Sequence, residues 1–142
     1  MSTDTQGSTV TSGDIERRAL ARLRVANERM RRLREEAGSA DNVIRFRVER
    51  HLEAAEETLE DLNVRGTDVP AAGSHARRLL ERDLCRAESE VVVAEAKLEA
   101  AWAEESDDLR MFVDATHRAM SAQRWALSAE IARDPHERTT GR

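Results

Sequence analysis

The sequence has one cysteine, one lysine, two prolines, no tyrosine, and only two residues each of phenylalanine and tryptophan. The lone thiol, Cys85, cannot form an internal disulfide, so nothing in the chain requires an oxidising compartment. It reads as a small apolar residue beside a helix seam rather than as a catalytic thiol. The longest apolar run, Val91-Val92-Val93-Ala94, is far short of a membrane span, and no membrane partner is expected. The six glycines never form G-x-G-x-x-G or a Walker lysine motif, and neither G-x-S-x-G nor H-E-x-x-H occurs. Few glycines and prolines and no tyrosine disfavour β-rich and Gly-loop folds. Leu, Ile, Val and Phe together number 27 of 142 residues, too few for a large conventional core.

Residues 1–13 hold seven Ser or Thr and no apolar h-region, which predicts a flexible tail rather than a signal peptide. Position 2 is Ser, so the myristoylation pattern is missing. A second flexible tail is expected over 134–142. The expected location is the cytoplasm, or a virion if the chain is phage-encoded. Arginine outnumbers lysine 22 to 1 beside abundant alanine, a usage that hints at a high-G+C coding origin.

What is abundant points one way. Ala, Glu, Lys, Leu and Arg make up 75 residues, a share that with helical periodicity marks long helices. The first seam reads Ile15, Ala19, Leu23, Ala26, Met30, Leu33 and Ala37, beginning near Ser12 to Asp14, with Gly38 as a stop and Ser39 as a fresh N-cap. The second reads Ile44, Val48, Leu52, Ala55, Leu59 and Leu62, and Gly66 to Ser74, with Pro70 and Gly73, is a loop. The third reads Leu80, Leu84, Ala87, Val91, Ala94, Leu98 and Ala101, and its register continues through Glu105 and Asp108 to Phe112, Ala115, Ala119, Ala122, Ala126 and Ala129.

The fold class expected is therefore all-α: long antiparallel helices forming a helical hairpin or coiled coil, or a four-helix bundle. One domain spans 14–133, with helices at about 14–37, 40–65 and 74–133. Continuity through 104–108 is favoured because no Gly or Pro marks a turn there, although Ser106, Asp107 and Asp108 could equally cap a new helix. Residues 14–50 carry eleven Arg against seven acids, and 51–142 carry twelve basic against twenty acidic groups. Folding back near residue 70 would set Glu104, Glu105, Asp107 and Asp108 opposite Arg29, Arg31, Arg32 and Arg34.

The chemistry-bearing candidates are sparse. Asp114-x-x-His117 is one weak pair where a dimetal carboxylate site needs two E-x-x-H pairs, and His51, His75 and His136 sit on polar or terminal positions. Glu105 and Asp108 could be paired carboxylates, but a register-fixing charge break is the simpler reading. No cofactor, metal or catalytic residue is expected. Arg17, Arg18, Arg22, Arg24, Arg29, Arg31, Arg32 and Arg34 make the first helix a candidate phosphate-contacting element, with Arg22, Arg29, Arg31 and Arg32 the candidate contacts. Their seven-residue recurrence also fits coiled-coil flanks, and no aromatic interleaving accompanies them.

Residues 109–131 are apolar over more than one face, which requires a second neighbour. The expected partner interface is Leu109, Phe112, Ala115, Ala119, Met120, Ala122, Trp125, Ala126 and Ala129. Trp102 and Trp125 are the large anchors available. The functional expectation is a non-enzymatic helical interaction or assembly protein, such as a scaffold, adaptor or phage structural component. Its partner would be protein, as a homo-oligomer or larger assembly. Two alternatives follow: a small nucleic-acid-binding or regulatory protein using the Arg-rich helix, and a motif-poor all-helical enzyme or metal protein.

Overall fold

A computed structural model describes residues 12–65, 70 and 73–133, with side chains described between 17 and 128 of these. The two expected tails, apart from Ser12 and Gly13, lie outside the described residues, as does the side chain of Ala129. Among the described residues all regular structure is helical: α1 (Ser12–Ser39), α2 (Asn42–Arg65), α3 (His75–Glu105) and α4 (Leu109–Arg133).

Each boundary has a local cause. Helix α1 runs through Gly38, and the cap of α2 is Asp41 rather than the expected Ser39: Asp41 Oδ1 accepts from the Ile44 amide at 2.9 Å. Ser74 caps α3 by accepting from the Arg77 amide at 3.1 Å, after Gly73 turns the chain at φ +81°.

The expected continuous helix over 74–133 is corrected by a turn at Ser106–Asp108. The Asp108 amide donates to Ala103 C=O at 2.8 Å and the Asp107 amide to Glu104 C=O at 3.3 Å, the paired bonds of a Schellman motif. Asp107 supplies the left-handed residue, at φ 56°, a conformation that Asp tolerates better than most residues. Asp108 then caps α4, its Oδ1 accepting from the Met111 amide at 3.0 Å. A heptad register can continue across such a turn, so periodicity did not reveal it.

The three seams meet in one core. Ala26, Met30 and Leu33 of α1, Val48, Leu52 and Leu59 of α2, and Leu84, Val91 and Leu98 of α3 belong to a single buried cluster, with Leu23 and Trp102 packed at its margin. Cross-helix contacts give the directions. Arg22 pairs with Glu88 and Arg29 with Glu95, both 66 residues apart, so α1 and α3 run parallel in a fixed register. Asn27–Asn63 and Arg34–Glu49 run in opposite senses, so α1 and α2 are antiparallel. Arg65–Asp83 and Arg47–Glu104 show the same for α2 and α3.

Helix α4 packs on α3 and stays outside that core. It uses a second face of α3 made of Cys85, Ser89, Val93, Ala96, Ala100 and Ala103, all buried. At about 100° per residue these positions lie opposite the Leu80–Ala101 seam. Ala115, Ala119 and Ala122 of α4 meet them, and side chains this small let the backbones approach closely. Ser89 Oγ donates to Ala122 C=O at 2.7 Å, a buried bond between the two helices.

Two outcomes check this account. Asp107→Gly should raise the Tm, the gain amounting to about 0.5–1 kcal/mol, because glycine adopts the left-handed turn without a Cβ penalty, while Asp107→Ala should lower it. A loss with glycine would mean that the carboxylate's attraction to the start of α4 outweighs the backbone cost. Ala96→Leu should destabilise by about 1–3 kcal/mol through overpacking, with faster amide exchange across α4 before α1 and α2. Uniform exchange along the chain would mean that α4 is not separately docked.

Candidate protein-docking face

The arginines of α1 are used within the chain. Arg22 donates from Nε and Nη2 to both Glu88 oxygens at 3.0 and 2.6 Å and from Nη2 to Cys85 Sγ at 3.5 Å. Bonding to Glu88 holds its guanidinium more firmly protonated than usual, against the opposing effect of burial. Arg29 forms the same two-pronged pair with Glu95. Arg34 is held by two carboxylates of α2, Glu49 at 2.9 and 3.0 Å and Glu56 at 2.7 and 2.9 Å. Its bonds pull the Glu49 carboxyl below the ordinary value. Arg31 pairs with Glu28 and Glu35, and Arg32 with Glu28, all within α1. All four candidate phosphate contacts are thus ion-paired.

The expected pairing of Arg29, Arg31, Arg32 and Arg34 with the 104–108 acids does not occur. Two turns precede α3, so it runs parallel to α1 instead of returning along it, and Glu104 pairs with Arg47 of α2. Glu105 and Asp108 lie exposed at the α3–α4 turn, where Asp108 serves as a helix cap. Asp114 and His117 are exposed on α4. Among the described residues no group of three or more His, Cys, Asp or Glu is placed to hold a metal ion. No helix there is long and apolar enough to cross a membrane.

The expected interface residues divide in two. Ala115, Ala119 and Ala122 are buried against α3 of the same chain, the neighbour on which α4 packs. Leu109, Met120 and Trp125 remain exposed, and Phe112 and Ala126 are half-buried. Sequence reading missed how the exposed residues are ordered. Leu109, Val113, Thr116, Met120, Gln123 and Leu127 step by 4, 3, 4, 3 and 4, a second seam beside the alanine one. Its large members are 74%, 54%, 52% and 58% exposed (Leu109, Val113, Met120 and Leu127). The signal was present as spacing, but the alanine register overlies it.

The ends of this seam line a groove over α3 that α2 bounds on the far side, Leu109 with Arg47 at one end and Gln123 and Leu127 with His51 and Ala54 toward the other. Toward the Leu127 end the groove deepens to a cavity of about 350 Å³ bounded by His51 and Ala54 of α2, Arg82, Asp83, Arg86, Ser89, Glu90 and Val93 of α3, and Gln123, Ala126 and Leu127 of α4. Glu90 Oε1 is buried there and accepts no hydrogen bond from the described residues. On the other flank of α4, Trp125 stands over a smaller hollow with Val25 and Arg29 of α1 and Val92 of α3. Burial pushes the His51 pKa down, and the nearby charges of Lys97 and Arg50 push it further.

No family model, no curated protein and no solved structure matches the chain.

His51 ties the groove to a measurable pH response. Its folded pKa lies below the ordinary 6.5, so the unfolded chain takes up the proton first and stability falls as pH drops through that value. Thermal melts on either side of that pH should show a lower Tm on the acid side, with a smaller drop in His51→Gln. An identical drop in both proteins would place the titration elsewhere.

Proposed function

We propose that this protein is a non-enzymatic helical interaction or assembly protein that binds other proteins through coiled-coil-type packing against α4. The observation that carries the reading is an unpartnered seam. Helix α4 rests its alanine seam on α3, while four large apolar residues at heptad spacing remain more than half exposed on its flank. Isolated exposed apolar side chains are ordinary, but a row of them with this period has the form of a helix-docking surface. Scaffold, adaptor and phage structural roles all use such surfaces. The four helices, alternating in direction, provide a frame on which α4 is presented as a ridge. A nucleic-acid role would draw on Arg22, Arg29, Arg31 and Arg32, whose charges are already matched by carboxylates of the same chain.

Native mass spectrometry of the protein from its own host, beside a Val113→Glu/Met120→Glu variant, tests the reading. Wild type is expected in an assembly heavier than 16.0 kDa, and the variant as a monomer with unchanged far-UV helicity. A wild-type monomer, or an assembly that survives both substitutions, would sink it.

A further inference from the structure

We infer that the groove between α2 and α4 receives an amphipathic helix of another protein, acidic along its flanking positions, rather than a second copy of this chain. This rests on the preceding reading of α4 as a docking surface and adds the chemistry of the partner.

The charge pattern selects the occupant. With Val113, Met120 and Leu127 at a, and Leu109, Thr116 and Gln123 at d, the e positions are Arg110, His117 and Arg124, all exposed. Arg110 and Arg124 have no carboxylate partner among the described residues, whereas Arg118, on the α3 side, is paired with Glu99. On the opposite wall and floor, Arg50 and Lys97 lie near His51, likewise without a described carboxylate partner. A helix lying on the seam thus meets Arg110 and Arg124 along the α4 edge. Acids line the groove as well, Glu57, Asp61 and Asp83 at one end, Glu90 in the cavity and Glu104, Glu105, Asp107 and Asp108 beside Leu109. Of these, however, Asp61 and Asp83 are paired with Arg65, Glu90 with Arg86 and Glu104 with Arg47.

The same row disfavours self-pairing. Two α4 helices packed antiparallel through this seam would align Val113 with Gln123 and Thr116 with Met120 of the other copy. Their e positions would then set Arg110 against Arg124 and His117 against His117. Like charges opposed along the flank penalise that dimer, while glutamates at the same positions would satisfy each cation.

The probes are two synthetic three-heptad helices with leucine at a and d, one with glutamate and the other with lysine at e and g. Binding of each to the full chain is measured by fluorescence anisotropy at low and high salt. The glutamate helix should bind about tenfold or more tighter than the lysine helix at low salt, with the gap narrowing as salt screens the charges. Arg110→Glu/Arg124→Glu should reverse the preference, and Met120→Glu should remove binding of both. Equal binding, or a preference for lysine, would overturn the acidic partner and leave α4 standing as a docking surface. No peptide binding, together with a native multiple of 16.0 kDa that Met120→Glu dissociates, would assign the groove to a second copy. No binding and a bare monomer would remove both this inference and the reading beneath it.

Discussion

Helix α3 buries two opposite sides of its circumference, and the positions of the other three helices follow from that constraint. The Leu80–Ala101 seam carries the larger side chains and lies in the core shared with α1 and α2. The opposite face, from Cys85 to Ala103, is built mainly of small residues, so the helix covering it must come close and must itself be small at the contact. Ala115, Ala119 and Ala122 meet that requirement. A leucine-rich helix would be held too far off for Ser89 to reach the Ala122 carbonyl. Close packing on one side also leaves the flanks of α4 uncovered, because a helix placed over the back of α3 stands away from α1 and α2. The exposed seam is a geometric consequence of how α4 is attached.

The arginines determine which surfaces face which, more than how strongly they hold. Arg22–Glu88 and Arg29–Glu95 are partly exposed, and such pairs contribute about 0.2–1 kcal/mol each. Both share a single 66-residue offset, however, so sliding α3 along α1 by one turn would break both together. Arg34, gripped by Glu49 and Glu56, does the same between α1 and α2. A core of alanines, leucines and valines at regular spacing tolerates several registers, and these charge pairs discriminate among them.

Much of the fold was legible in the sequence because apolar spacing is a direct record of which helix face is buried. Every residue of the second and third seams is buried, as are Ala19, Ala26, Met30, Leu33 and Ala37 of the first. What escaped, or stood only as an alternative as the break at 104–108 did, was information that spacing does not hold. The turn at Ser106–Asp108 uses an aspartate in the left-handed conformation instead of a glycine, and the heptad count passes through it undisturbed. The back face of α3 was hidden because Ser89, Ala96, Ala100 and Ala103 read as neutral filler until a second helix lies on them. Chain direction was misjudged for a related reason: charge asymmetry shows that basic and acidic segments meet, but not whether they meet parallel or antiparallel. The exposed seam of α4 had the right period, but a helix with two overlapping registers does not reveal which one the chain keeps for itself.

That division of labour on α4 has an energetic basis. Burying an alanine methyl removes little apolar area from water, so the alanine seam holds α4 mainly through close contact, Ser89 and the Arg118–Glu99 pair. The larger side chains that would have contributed more, Leu109, Val113, Met120 and Leu127, point elsewhere. A monomer optimised only for its own stability would place them inward. Keeping them on the flank at heptad spacing, edged by Arg110, His117 and Arg124, leaves α4 held modestly by its own chain and able to gain from a helix laid beside it. A partner supplying apolar residues at a and d and carboxylates at its edges would bury the exposed seam and neutralise the row. Its binding free energy would also appear as tighter docking of α4 on α3.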